Sequence, residues 1–243
     1  MSIDWTFWPS DPAYGSSAWD WRPPWLRPAR PGTMAWALQQ TAGSPVEPVD
    51  LAGAKAHLRV DISDDDALIQ WLIVAARDYV ERASGLSLLT QTWKLYLDRW
   101  PRAGVMEFWP WAAPPSTILL PRFPVQSVTS VQWFGSDGST NTVASTDYAV
   151  DLVRRPPRIV PVVGKFWPSM SLVPQNGVVV TFAAGFGAQP LTMPPTLRQA
   201  MLLLLGTWYE NRESVVVDKQ IKSIELPQGF EALIGLHMPA MVG

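Results

Sequence analysis

Between residues 63 and 85 apolar side chains recur every three or four positions; beyond residue 89 they recur every two. The first pattern, "DISDDDALIQWLIVAARDYVERASGLSL", puts Leu68, Trp71, Leu72, Ala75 and Tyr79 on one helical stripe. Ile69, Ile73, Ala76 and Val80 widen it, so the helix is expected to be buried on more than one side, with Trp71 in the core. Ser63 or Asp64 should cap the start, followed by acids that the helix dipole favours, and Gly85 supplies the left-handed stop. Just upstream, "VDLAGAKAHLRV" (49–60) carries Asp50 as candidate N-cap and a short stripe at Leu51, Ala54 and Leu58.

The alternating pattern opens with "TQTWKLYLDRW" (90–100), through Trp93, Leu95 and Leu97. "SVTSVQWF" (127–134), which contains Trp133, runs into the hairpin-type sequence "GSDGST". "DYAVDLV" (147–153), "RIVPVV" (158–163) and "GVVVTFAAGFG" (177–187) complete a set of short strands divided by Pro/Gly turns, which suggests an antiparallel sheet or small sandwich. The period then reverts. Pro194 and Pro195 suit a helix start, and "TLRQAMLLLLGTWYENRES" (196–214) is apolar almost all round, as expected at the centre of a bundle, with Trp208 in its core. The fold class is therefore α+β: a helical bundle (about 49–88 plus 194–214) carrying an inserted antiparallel β domain (89–193). A C-terminal tail (215–243) follows the central bundle helix (194–214), and an N-terminal arm (1–46) precedes the first part of the bundle (47–88).

The arm obeys neither period. "DWTFWPSDPAYGSSAWDWRPPWLRPARPG" combines the prolines of an extended segment with Trp5, Trp8, Trp19, Trp21 and Trp25, whereas disordered leaders are poor in aromatics. Only "TMAWALQQ" (33–40) could form a short helix there, with Thr33 as N-cap. "EFWPWAAPP" (107–115) is a second Pro/Trp segment, and its Trp109 and Trp111 also suit a contact surface. Over 243 residues the chain is 47% hydrophobic and 16% charged, below the roughly 25% charge expected of a soluble domain, which suits a protein that hides surface in an assembly.

A formal net charge of −2 gives no global basic field for general nucleic-acid binding. The lack of cysteine excludes disulfides and thiolate metal sites and is compatible with a reducing compartment. No secretory pattern opens the chain, and the longest apolar run, "AMLLLLGTW", is too short for a bilayer, so a soluble intracellular protein is expected, with no membrane partner.

Catalytic motifs are missing. "DISDDD" fails the calcium-loop pattern, with Asp66 where glycine and Leu72 where glutamate would stand, and reads as a helix start. "GFG" in "AAGFGAQP" lacks the third glycine of a dinucleotide fingerprint and reads as a strand-end turn. His57 and His237 are far apart in sequence and fit structural or surface roles. No cofactor, metal or catalytic residue is assigned, and the expectation is a non-enzyme. "ENRES" (210–214) has two readings: a solvated helix end, or a place where Arg212 ties the helix to a neighbouring element or subunit.

Taken in order, "DLAGAKAHLRVDISDDDALIQWLIVAARDYVERASGLSLLTQTWKLYLDRWP", "LPRFPVQSVTSVQWFGSDG", "YAVD", "RIVP", "GKFWP", "GVVVTFAAGFG", "PPTLRQAMLLLLGTWYENRE" and "LPQGFEALI" resemble the head–tail connector (head-completion adaptor) family of tailed phages, prophages and gene-transfer particles. The resemblance covers roughly residues 46–236 and leaves the arm as an addition.

What the resemblance implies is a ring, typically of twelve copies, docked beneath the portal protein. It would be made in the host cytoplasm and sit in the virion neck between head and tail. It would extend the DNA channel, let DNA pass without specific binding, and offer a platform to a neck (stopper) or tail-terminator protein. Related adaptors send C-terminal segments towards the portal, so an apolar face of Phe230, Leu233, Ile234 and Met238 is expected either to dock there or to fold back on its own bundle. The arm tryptophans are expected to clasp a neighbouring subunit or another neck protein, since Trp and Arg dominate interface hot spots. An alternative is an aromatic-rich carbohydrate-binding or tail-associated recognition module.

Overall fold

The computed structural model describes residues 36–101, 116–211, 227 and 229–238. Among the described residues four α-helices, eight strands and a short 3-10 turn at Pro190–Thr192 follow in chain order. The helices and strands are β1 (Trp36–Ala42), α1 (Leu51–Leu58), α2 (Asp66–Ser84), β2 (Gln91–Leu97), β3 (Ile118–Leu119), β4 (Val125–Phe134), β5 (Thr140–Thr142), β6 (Tyr148–Asp151), β7 (Arg158–Pro161), β8 (Val178–Ala184), α3 (Pro195–Glu210) and α4 (Phe230–Gly235). The fold is α+β, with purely antiparallel strand pairing between named strands.

Asp50 caps α1, its Oδ1 accepting the Gly53 N–H at 2.9 Å. At α2, Asp65 occupies the N-cap position without a side-chain cap bond, so neither Ser63 nor Asp64 caps it. The Asp65 carboxylate instead accepts the Tyr209 hydroxyl at 2.6 Å, a partner supplied by the far end of α3. Gly85 ends α2 in the left-handed region, its N–H donating to the Glu81 carbonyl. The buried residues Ile69, Ile73, Ala76 and Val80 lie on one face of α2. They share a core with Ala54 of α1, with Leu197, Ala200, Met201, Leu204 and Leu205 of α3, and with Phe230 and Ile234 of α4. Trp71 was expected in that core and is not there: it is 74% exposed, on the opposite face of α2. Trp208 is partly buried against the bundle and meets Tyr79 edge-on at 5.9 Å.

Two sheets share the second core. One has the order β1-β2-β8-β4-β5 and the other β3-β7-β6. Strict alternation in β2 buries Trp93, Leu95 and Leu97, which pack with Val180 and Phe182 of β8 and Ile159 of β7. Trp133 is buried here too, and Trp100 stacks on Trp167 at 4.8 Å with ring planes 6° apart. The segment expected to form a short helix at 33–40 is a strand over its described part. Trp36 and Leu38 alternate onto the sheet core, and β1 pairs with β2 from Trp36↔Leu97. A ready antiparallel partner and two apolar anchors outweigh the weak local helix preference.

Bundle and sheets are joined where α2 runs into β2. Leu86, Leu88 and Phe123 enter the bundle core from the β side, and the Ser87 N–H donates to the Phe123 carbonyl at 2.9 Å.

Candidate functional site

Polar chemistry concentrates at this joint. Glu81, 5% exposed, accepts the Leu88 N–H at 2.9 Å and the Gln91 amide at 2.7 Å through Oε1. Its Oε2 lies 3.6 Å from the Arg77 guanidinium, which also pairs with Glu47 at 2.8 Å. Arg122 donates to the carbonyls of Glu81 (2.6 Å) and Leu86 (3.1 Å) and lies 4.7 Å over the Trp93 ring. Burial raises the pKa of Glu81, against the lowering effects of the Leu88 N–H, Arg77, Arg122 and Gln91. Burial likewise lowers the pKa of Arg122, partly offset by Glu81. The partners come from α2, the start of β2 and the segment before β4, so the arrangement is a joint between the two cores. Sequence reading missed it because Arg122 and Glu81 are 41 positions apart.

The motifs considered as chemistry resolve into structure. In "DISDDD", Asp66 pairs with Lys55 Nζ at 2.6 Å, and the same amine donates to the Ile62 carbonyl at 2.8 Å. In "GFG", Gly185 has φ +140° and packs its backbone so close to Leu89 that a Cβ would fall 2.3 Å from the Leu89 carbonyl oxygen. His237 Nε2 lies 2.6 Å from the Thr196 hydroxyl, and burial followed by the nearby Arg155 charge lowers its pKa. Among the described residues no group of three or more His, Cys, Asp or Glu could hold a metal ion, and no helix is long and apolar enough to cross a membrane.

The surface is where large apolar side chains go unexplained. Ile62 and Trp71 are exposed around the start of α2, and Val74 continues the Trp71 face. Leu152 and Val153 stand out on the β6–β7 turn, and Val163, Phe166 and Met170 on the segment after β7. Ordinary monomers scatter such residues singly; grouped, they mark contact sites. Of the contact residues read from the sequence, Trp5, Trp8, Trp19, Trp21, Trp25, Trp109, Trp111 and Arg212 lie outside the described residues. The four tail residues are placed. Phe230 and Ile234 are buried in the bundle core, and Leu233 and Met238 pack against it, so α4 folds back on its own chain.

The described residues thus form two cores locked by an internal joint, with large apolar side chains left on the outside. Residues 48–131, from the approach to α1 through most of β4, match the model of the phage gp6-like head-tail connector protein family. No curated protein matches the chain. A chain of "Neck of empty GTA particle computed with C6 symmetry" matches with TM-score 0.64 and 25% identity over 85% of this chain and 97% of that one. A chain of "Virion of native gene transfer agent (GTA) particle" matches equally, with TM-score 0.64, 25% identity and the same coverage. A third, from "Neck of native GTA particle computed with C12 symmetry", shares the fold at TM-score 0.60 and 24% identity. The resemblance to head–tail connectors read from the sequence is thereby shown.

Proposed function

We propose that this chain is a structural subunit of the neck of a tailed phage or phage-like particle, sitting between head and tail, and that it works by assembly, without catalysis. The carrying observation is the match of bundle and sheets together to a neck chain, over 97% of that chain's length. In this reading copies form a ring, twelve in number, that docks under the portal protein and receives a stopper or tail-terminator protein on its other side. DNA passes through the lumen, and the net charge of −2 avoids the phosphate affinity of a basic lining.

The arm tryptophans Trp5, Trp8, Trp19, Trp21 and Trp25 serve as anchors on a neighbouring subunit or neck protein, because each ring buries a large area with few rotamers to freeze. Trp109, Trp111 and Arg212 are further candidates for subunit contact. Portal docking through Phe230, Leu233, Ile234 and Met238 would require α4 to leave the bundle and re-expose a Phe and an Ile, each worth about 1.5–3 kcal/mol of burial. We therefore assign these four residues to fixing the root of the tail, with any portal contact made by the residues around them.

Electron microscopy of the purified protein, alone and with its portal, tests the reading alongside mass measurement in solution. A ring, free or formed only on the portal, is expected; a monomer that ignores the portal would refute it. Removing residues 1–35 should weaken ring assembly or attachment of a neck partner, and unchanged assembly and attachment would remove the arm from the account.

A further inference from the structure

A closed ring of identical subunits needs two different, complementary surfaces on each copy, because a single self-complementary patch closes a two-fold pair and stops. Two exposed surfaces of this chain have that relation. The first is the start of α2. There Ile62 is 61% and Trp71 74% exposed, and the outward positions from Ala67 to Ala75 (Ala67, Gln70, Trp71, Val74 and Ala75) carry no charge, the next outward charge on the helix being Asp78, which is paired with Arg82. A helix face left to solvent ordinarily carries charged and polar residues. Beside this apolar strip, residues 55–66 hold four aspartates against Lys55 and Arg59, a net of −2. Lys55 is taken up by Asp66 and the Ile62 carbonyl, while Asp61 and Asp64 face solvent.

The second surface is the β6–β7 turn, "DLVRRPPR". Val153 is 93% exposed and Leu152 43%, and Arg154 and Arg155 beside them are exposed as well. Three arginines against Asp151 give residues 151–158 a net of +2. The Asp151–Arg158 pair, at 2.9 Å, accounts for one of each sign and leaves Arg154 and Arg155 as the outward charge. One surface is thus apolar and acidic, the other apolar and basic.

Their placement is set by α3. At its C-terminal end Tyr209 holds Asp65 at 2.6 Å, next to the acidic surface. At its N-terminal end Thr196 meets His237 at 2.6 Å, and the His237 carbonyl accepts from Arg155 at 3.3 Å, in the basic turn. Thr196 and Tyr209 are separated by about 20 Å of helix at 1.5 Å per residue. The two surfaces therefore sit at opposite ends of one rigid rod, so one copy cannot satisfy itself.

We infer that the ring closes head to tail, with the Ile62–Trp71–Val74 face of one copy receiving the Leu152–Arg155 turn of the next, the aspartates steering the arginines. This rests on the ring reading above and names the contact that makes it. It also returns Trp71 to a buried place, in a second copy's company.

The chain has no cysteine of its own, so engineered pairs report cleanly. In assembled necks of the full-length protein, cysteines introduced by Trp71→Cys and Val153→Cys should give, on oxidation, a ladder of covalently linked multimers that neither single variant gives. Independently, Asp64→Arg or Arg154→Asp alone should lower ring yield about tenfold or more, and the two together should restore most of it. The reversals leave Trp71 in place, so they hold the inference to account even where a cysteine there impairs assembly. Rings that form normally with no cross-link and no effect of either reversal overturn this contact and leave the ring reading standing. A cross-link from Trp71→Cys to a cysteine placed by Trp19→Cys, in preference to Val153→Cys, overturns it in favour of the arm as occupant. Wild-type protein that forms no ring on its portal overturns both.

Discussion

Glu81 is where a single substitution tests the joint between the two cores. Glu81→Ala removes the acceptor of two buried donors, the Leu88 N–H and the Gln91 amide, and the counter-charge of Arg77 and Arg122. Each orphaned buried donor costs about 1–3 kcal/mol, and breaking a buried ion pair by removing one partner costs about 3–5 kcal/mol. These penalties overlap, so a loss of about 3–5 kcal/mol is expected for Glu81→Ala. Glu81→Gln keeps a carbonyl for both donors, and because burial already penalises the carboxylate charge, giving up that charge should cost about 1 kcal/mol or less. Urea unfolding, followed by far-UV circular dichroism at neutral pH, separates the two. A loss under about 1 kcal/mol for Glu81→Ala, or equal losses for both variants, would refute the account.

The same residue carries a pH signature. Burial raises the folded-state pKa of Glu81 above its unfolded value. Between those two values the folded chain holds a proton that the unfolded chain has released. Stability from this group is therefore full below the ordinary glutamate pKa and declines as pH rises through the raised one. The wild-type advantage over Glu81→Gln should be largest at the acid end of that window and narrow as pH rises. An advantage that widens instead would mean that Arg77 and Arg122 outweigh burial and that the pKa is lowered.

Three further outcomes are expected. Gly185→Ala, with its Cβ driven to 2.3 Å from the Leu89 carbonyl oxygen, should lose at least about 2 kcal/mol and visibly lower the melting temperature; unchanged melting would mean that this strand-end contact is loose. Trp167→Ala removes the ring stacked on Trp100 and should cost about 3–5 kcal/mol in urea unfolding, whereas Trp167→Phe, which gives up the bond from Nε1 to the Ser116 carbonyl while keeping an aromatic ring, should cost clearly less. Asp50→Ala should cost about 1 kcal/mol through loss of the α1 cap, and Asp50→Asn only a fraction of that.

The helical period, the Gly85 stop and the Asp50 cap were legible because each is a local signal: the partner atoms lie within four residues. Signals that depend on a distant partner were not. The carboxylate at the start of α2 is claimed by Tyr209, 144 positions away, so the choice among Ser63, Asp64 and Asp65 could not be made locally. The stretch at 33–40 reads as a short helix on its own, and its described part is a strand because β2 offers it an edge. Trp71 shows a different limit. Periodicity identifies which faces of α2 are apolar, and both are, but it does not say whether the partner of each face belongs to the same chain. The head–tail connector resemblance was legible because many short stretches recur in a fixed order, whereas the joint around Glu81 left no contiguous trace.

The joint and the two proposed ring surfaces belong to one mechanical argument. The acidic surface rides on α2, in the bundle, and the basic turn rides on β6 and β7, in the sheets. Their relative position therefore depends on how firmly the two cores are coupled. In a closed ring the angle between neighbours repeats at every contact, so a small hinge freedom within the subunit accumulates around the circle. A buried carboxylate is an inefficient way to add stability, since its desolvation cancels much of what its partners return. Its directional bonds do fix geometry. Glu81 reaches past the end of α2 to Leu88 and to Gln91 at the start of β2, while Arg122 reaches back to the carbonyls of Glu81 in α2 and Leu86 just after it. Reciprocal, angle-specific bonds across the junction are what a subunit needs if its two ends must meet their neighbours at one repeated angle.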